Sequence, residues 1–251
     1  MQFLGHSVPY VLALLAIGTV WQIAVWISDA SVAILPPPLL TLATLWELVV
    51  TGELAKHTMA SLSRVVSAWG LSVLVAVPLG LLMARSKMAE RLLDPVIELF
   101  RPISPLAWIP LAILWFGIGE TGKIFIIFVA TFFPIVLNTI SGVKGVDPVL
   151  IRAGRVLGCN NEGTLFWRVI LPAAMPTIIV GLRIAFGTGW AAIIAAELVA
   201  AQSGLGYLIA DGMEILRSDL VMAGMIAIGV LGVLIDSIFR IIGNQYDWGP
   251  A

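Results

Sequence analysis

Long apolar runs alternate with short polar segments along most of this chain. A helix needs about 20 apolar residues to cross the hydrocarbon core of a membrane. The runs that reach or approach that length are 9–27, 66–84, 106–118 with part of what precedes it, 123–142, 177–200 and 221–242. Because lipid offers no hydrogen bonds to free backbone groups, these runs are expected to be helices. The pattern predicts an all-α polytopic membrane protein with about six transmembrane helices, with five or seven as alternatives.

Composition supports an integral membrane protein. The 251 residues are 60% hydrophobic and 12% charged, whereas soluble domains are about 25% charged. A net charge of −1 gives no general attraction to nucleic acid. Cys159 is the only cysteine in the sequence, which excludes an internal disulfide. The first run is too long for a signal peptide and is interpreted as a retained helix. Residues 1–251 are expected to form a single transmembrane domain.

The basic residues are distributed unequally between alternate loops. With the amino terminus inside, the outer loops hold Lys56, Lys123 and Arg217, with Arg64 at a boundary. The cytoplasmic loops then hold a larger set: Arg85, Lys87, Arg91, Lys144, Arg152, Arg155, Arg168 and Arg240. Lysine and arginine accumulate on the cytoplasmic side of membrane proteins. Both termini and the polar loop at 143–176 are therefore predicted to face the cytoplasm.

No catalytic or metal-binding constellation is evident in the sequence. Residues 117–123 match the first seven positions of a phosphate-binding P-loop, but Ile124 stands where Ser or Thr should bind magnesium. That segment also lies between two apolar runs on the predicted outer side, so it is interpreted as a turn. His6 and His57 fall on opposite sides of the membrane. We expect no enzyme activity, cofactor or metal on this chain.

Charged groups inside apolar runs are functional candidates by default. Glu197 lies near the predicted outer end of the fifth run, where it either lines a vestibule or sits at the interface. Asp236 and Arg240 are spaced for an i,i+4 pair, and Arg183 is close enough to the end of its helix to snorkel. Small residues in the fifth run indicate either tight helix packing or a path lining. Trp190 is the bulky side chain among them and a candidate constriction.

The loop at 143–176 has the pattern of two short helices. Asp147 and Pro148 resemble an N-cap followed by proline at the first helical position, and Gly158 is a stop signal. A second helix is predicted from about Glu162 to Ile170, ending at Leu171-Pro172. Such a hairpin either docks into a groove on another protein or lies at the membrane interface.

This loop resembles the coupling loop of binding-protein-dependent ABC importer permeases. Their pattern runs E-A-A, three residues, G, nine residues, I-x-L-P. Arg152-Ala153-Gly154 takes the place of E-A-A, Gly158 that of the glycine, and Leu171-Pro172 that of the final pair. Arginine replaces the glutamate, and the interval from Gly158 to Pro172 is one residue longer, which predicts an altered turn near Asn160-Asn161.

Further segments resemble the taurine, alkanesulfonate and nitrate branch of that family. They extend over nearly the whole chain: Leu35–Pro38, His57–Arg64, Arg101–Pro110, Trp115–Glu120, Gly189-Trp190 and Ala195–Glu197. The same branch also includes importers of other solutes, so the motifs identify the family better than the solute.

The resemblance implies a type I ABC importer permease fold in a bacterial inner membrane. Two copies would form the path for a small polar or anionic solute such as taurine, an alkanesulfonate or nitrate. Two separate ATPase subunits, which hold the ATP and magnesium, would drive alternating access, and an extracytoplasmic binding protein would deliver the solute. Arg152, Ala153, Gly154, Gly158, Glu162, Leu171 and Pro172 are implied as ATPase-coupling residues. Trp190 and Glu197 are implied to lie along or above the path.

Two other classes of function stay open at the level of the sequence. A secondary transporter predicts ion-coupling carboxylates in mid-membrane and an internal repeat, and neither is seen. A non-transporting membrane scaffold predicts no dependence on an ATPase.

Overall fold

The computed structural model describes residues 3–28 and 31–244, which form a helical bundle. In chain order, the α-helices are α1 (Phe3–Ser28), α2 (Pro38–Val50), α3 (Glu53–Arg85), α4 (Lys87–Phe100), α5 (Ile109–Phe116), α6 (Glu120–Lys144), α7 (Pro148–Val156), α8 (Glu162–Leu165), α9 (Leu171–Ala200), α10 (Leu205–Glu214) and α11 (Ser218–Asn244). A 3₁₀ turn at Pro105–Trp108 precedes α5, and a π turn at Phe166–Ile170 joins α8 to α9. The predicted all-α fold is confirmed.

Among the described residues, four helices are long and apolar enough to cross a membrane. They are α3, α6, the continuous helix Glu162–Val199, and Ser218–Gly243 of α11. These helices correspond to the second, fourth, fifth and sixth predicted runs. The first run, 9–27, lies within α1, of which Leu15–Ser28 is a shorter apolar helix. The predicted positions of the two termini fall on residues 1–2 and 245–251, outside the described residues.

The third predicted run belongs to a bent helix pair (the broken span), which forms either one interrupted crossing or a re-entrant loop. Lys87–Phe100 and Pro105–Phe116 together are long and apolar enough to cross, but their axes differ by 84°. Pro102 and Pro105 explain the break, because proline lacks the N–H that would continue the helical hydrogen bonds and restricts the residue before it. With this pair counted as one, the described residues contain up to five crossing helices, and α1 is a further apolar helix.

Helix α6 lies at the centre and packs closely against α3 and α9. A Cβ atom added at Gly80 of α3 would lie 2.7 Å from Cβ of Thr139, and one at Gly181 of α9 would lie 2.3 Å from Cβ of Asn138. Because Gly80 and Gly181 have no side chains, α3 and α9 approach α6 closely, as small residues allow in membrane bundles. This confirms tight packing as one use of the small residues in the fifth run.

We predict that Gly181→Ala destabilises the protein while Gly187→Ala does not. Both glycines lie in α9, but a Cβ at Gly187 meets no atom within 4 Å. Overpacking costs about 1–3 kcal/mol, whereas alanine gains about 1 kcal/mol over glycine in a helix interior. Thermal unfolding in detergent should show a lower midpoint for Gly181→Ala alone. Equal midpoints for the two variants would contradict close packing between α9 and α6.

Candidate functional site

The polar loop forms a helical hairpin whose first helix ends at Gly158. Asp147 caps α7 by accepting the N–H of Val149 at 2.7 Å. At the other end, Gly158 has a φ of +97°. The N–H of Cys159 donates to the carbonyl of Gly154 at 3.0 Å, and that of Gly158 to the carbonyl of Arg155 at 3.2 Å. This is a Schellman cap, which requires a left-handed residue, and it confirms Gly158 as the stop.

The second helix of the hairpin does not end within the polar loop but continues as α9. Asn161 caps α8 by accepting the N–H of Gly163 at 2.9 Å, and the helix then runs unbroken from Glu162 to Val199. The predicted end at Leu171-Pro172 is therefore wrong. The N–H of Leu171 donates to the carbonyl of Phe166, five residues back. A π turn changes the hydrogen-bond register, and Pro172, which has no N–H to donate, directly follows that change.

A π turn lies within the segment from Gly158 to Pro172, which is one residue longer than the resembled pattern. It occupies Phe166–Ile170, inside the second helix, and a π turn contains one more residue than an α turn. At the predicted position, the N–H of Asn160 donates to the carbonyl of Gly158, two residues back, at 2.9 Å. The altered turn near Asn160-Asn161 therefore stays a prediction, and the π turn is a second place that can accommodate the extra residue.

Internal contacts hold the two halves of the hairpin together. A Cβ added at Gly154 would lie 2.8 Å from Cγ2 of Val169, so Gly154 is an interior contact and not a surface residue. Arg155 forms an ion pair with Glu162 at 2.8 Å. The guanidinium of Arg85, at the end of α3, lies 4.6 Å from the ring centroid of the buried Phe166. The hairpin is thus attached to both α3 and α9.

The tip of the hairpin carries an exposed apolar surface. Val156 is 87% exposed and Leu157 is 84% exposed, directly before Gly158. Arg152 and Ala153 are also exposed, whereas Leu171 is half-buried and Pro172 exposed. Apolar side chains that stand this far out of a polar loop are characteristic of a surface that contacts another protein or a membrane.

At the opposite end of the bundle, four charged residues form one network. Arg64 of α3 donates to Glu197 of α9 at 2.7 Å and to both carboxylate oxygens of Glu120 at 2.5 and 2.8 Å. Lys123 also pairs with Glu120, at 2.9 Å. Arg64, Lys123 and Glu197 are buried. Removing one partner of a buried ion pair costs about 3–5 kcal/mol, so this network joins α3, α6 and α9.

Glu197 also organises the turn between α9 and α10. Its carboxylate accepts the hydroxyl of Ser61 at 2.8 Å and the N–H of Gly206 at 3.0 Å. Gly204 has a φ of +122°, and a Cβ there would lie 2.2 Å from the Glu197 carboxyl carbon. Arg64 donates to the carbonyl of Ser203 at 2.7 Å. In the single chain this carboxylate is enclosed, so its predicted place along a path stays a prediction.

The predicted i,i+4 ion pair of Asp236 and Arg240 is present, but Asp236 has a closer partner. Asp236 accepts two hydrogen bonds from Arg183, at 2.5 and 2.7 Å, whereas Arg240 lies 3.6 Å away. The principal partner of Asp236 is therefore Arg183, on another helix, and Arg183 is paired rather than snorkelling alone. Trp190 packs nearby, and its indole N–H donates to the carbonyl of Ile228 at 3.4 Å. Trp190 is buried in the single chain, and its role as a constriction also stays a prediction.

A cavity of about 390 Å³ lies where the broken span faces α6 and α9. Its lining is mostly apolar, with Arg101 from the break and Thr188 from α9 as polar exceptions: Arg101, Ile103, Pro105, Leu106, Val129, Ala130, Phe133, Pro134, Leu137, Thr188, Ala191 and Ala192. Arg101 was not among the residues predicted for a site. Its position at the centre of a proline-rich apolar run was the available signal.

Comparisons with known proteins agree with this architecture. Residues 76–247 match the family described as "Binding-protein-dependent transport system inner membrane component". A putative ABC transporter permease protein of Methanocaldococcus jannaschii is 46% identical over 78% of this chain and 73% of its own length. The taurine transport system permease protein of Escherichia coli is 41% identical over 87% of this chain and 81% of its own length.

The fold has a solved counterpart. An inward-facing MetNI methionine ABC transporter chain superimposes with a TM-score of 0.67 at 18% identity, covering 78% of this chain and 97% of that chain. The predicted type I importer permease fold is thereby confirmed, as is the resemblance drawn from the sequence motifs. The chain belongs to the family of binding-protein-dependent transport system inner membrane components, the permease subunits of ABC importers.

Proposed function

We propose that two copies of this chain form the membrane path of an ATP-driven importer for taurine or another small sulfonate. The observation that carries the proposal is the exposed Val156–Leu157 tip on a hairpin that continues directly into α9. A separate ATPase covers that tip and supplies ATP and magnesium, and a binding protein delivers the solute on the opposite side. The positive-inside distribution supports placing the hairpin in the cytoplasm.

The hairpin is suited to transmit force because it is part of a transmembrane helix. The described residues 162–199 form one continuous helix, so displacement at Glu162 moves α9 with it. The stacking of Arg85 on Phe166 connects the same hairpin to α3. Movement of the tip therefore tilts the bundle rather than an isolated loop, as alternating access requires.

The broken span supports the proposal that the transporter contains a second copy of this chain. Residues 101–104 are exposed and non-helical in the single chain, and they lie halfway between Lys87 and Phe116. Irregular backbone at membrane depth is tolerated only where protein covers it or where it lines a water-filled cavity. A second copy facing this segment would cover it with protein and enclose a water-filled cavity beside it. The sulfonate assignment rests on the name of the Escherichia coli relative.

We predict that Leu157→Asp abolishes coupling to the ATPase, whereas Leu157→Met preserves it. Leu157 is 84% exposed, so neither change disturbs the core. A charge in an apolar contact costs several kcal/mol of binding because it is buried without a partner. The measurement is the amount of genomically neighbouring ATPase that co-purifies, followed by ATP-dependent uptake of radiolabelled taurine in proteoliposomes. Full co-purification and uptake with Leu157→Asp would refute the tip as the docking surface.

We predict that the purified transporter contains two copies of this 26.8 kDa chain and two ATPase subunits. Native mass spectrometry of the co-expressed complex measures this stoichiometry directly. The physical reason is that the exposed break must be covered within the membrane. A complex with one permease copy, active in uptake, would contradict the shared path.

A further inference from the structure

The break between α4 and α5 places Arg101 beside the cavity that α6 and α9 also line. Arg101 is the central residue of Lys87–Phe116 and follows the end of α4. The facing segments of the cavity, Val129–Leu137 and Thr188–Ala192, lie at the middle of the apolar runs 123–142 and 177–200. Arg101 is therefore level with the middle of two helices that are long enough to cross a membrane.

Other arginines deep in the bundle are paired with carboxylates. Arg64 pairs with Glu120 and Glu197, and Arg183 pairs with Asp236. Among residues 3–28 and 31–244, by contrast, Arg101 forms no ion pair, and it is exposed to the cavity. Arginine in the hydrocarbon region is costly unless it faces a water-filled cavity or a counter-charge. The charge of Arg101 therefore needs an anion or water in that space.

The chemistry of the cavity fits a small oxyanion with an apolar body. A guanidinium offers five N–H donors in a planar fork that matches carboxylate, sulfonate and related groups. Thr188 adds a hydroxyl, although it already bonds to the carbonyls of Ala130 and Ala185 at 3.1 and 2.9 Å. The remaining lining is apolar, and no carboxylate is present among the lining residues to compete for Arg101.

We propose that Arg101 binds the anionic group of the transported solute in the cavity at the break of α4 and α5. This inference rests on the proposed function and names the solute chemistry that the membrane subunit recognises. It also makes the path selective: a sulfonate or carboxylate replaces lost hydration with the guanidinium, whereas a small cation meets an uncompensated positive charge. In a pair of facing copies, two Arg101 side chains strengthen the same preference.

The charge preference of the cavity can be measured without knowing the solute. In a Cys159→Ser background, Ala191→Cys places a thiol on the exposed cavity face of α9. The full transporter complex in nanodiscs is then treated with a negatively charged sulfonatoethyl or a positively charged trimethylammonioethyl methanethiosulfonate. Each rate is normalised to that of free cysteine. Leu74→Cys is the control, because Leu74 is apolar, 73% exposed and in the middle of a span, so it is expected to face lipid and react with neither.

We expect the normalised rates at Ala191→Cys to favour the negative reagent about tenfold, as one nearby charge can produce at partial burial. Adding Arg101→Gln should remove that preference, whereas Arg101→Lys should retain most of it. Taurine or ethanesulfonate should slow the labelling of the Arg101 protein. No reaction at Ala191→Cys, or a preference that persists with Arg101→Gln, would overturn the anion site.

Measurements of solute uptake distinguish failure of this inference from failure of the proposed function. Wild-type protein that co-purifies with its ATPase but shows no ATP-dependent uptake of taurine or ethanesulfonate overturns the proposed sulfonate importer. If the wild type transports, Arg101→Gln is expected to lower uptake at least tenfold while the amount of co-purified ATPase stays unchanged. Arg91→Gln, which changes an exposed arginine of α4 away from the cavity, should transport normally. Equal uptake by both variants overturns the role of Arg101 alone.

Discussion

The inability of lipid to satisfy polar groups constrains nearly every feature of this chain. Backbone groups are enclosed in long helices, and deep charges are enclosed in pairs or in the network around Arg64. The broken span is the exception, because residues 101–104 are non-helical and exposed in the single chain. Such a segment must face protein or water. The proposed second copy and the proposed anion site both rest on that one constraint.

A second feature of the structure is the mechanical connection between the hairpin and helices α3, α6 and α9. Helix α6 holds α3 and α9 at distances that only small residues permit, and Gly80 and Gly181 provide those contacts. The hairpin is attached to the ends of the same two helices, through Arg85 on Phe166 and through the continuous helix 162–199. At the far end, Arg64 joins α3 to α6 and α9 again. We expect a bundle joined at both ends to move as a unit when its tip is displaced.

The sequence predicts those structural features that depend on residues close together in the chain. Apolar runs locate the long helices, and the Asp147 cap and Gly158 stop locate the hairpin, because each signal lies within a few residues of its effect. The partners of Arg64 could not be predicted, since Glu120 and Glu197 lie 56 and 133 residues away. For the same reason Arg183, 53 residues from Asp236, was not predicted as its closer partner, whereas the nearby Arg240 was. In the fifth run, composition identified the helix, but only packing shows that Thr188 and Ala191, and not Trp190, face the cavity.

The proposed function predicts that the hairpins of two copies approach each other when ATP binds, because the ATPases that cover the two tips drive the movement. Cys159, the single cysteine of the sequence, lies at the hairpin tip and supplies one spin-label site per copy. Double electron–electron resonance on the labelled complex in nanodiscs measures the distance between the two labels directly. We predict one distance without nucleotide and a shorter one with a non-hydrolysable ATP analogue. An unchanged distance, or no dipolar signal in an active complex, would contradict coupled movement of two copies.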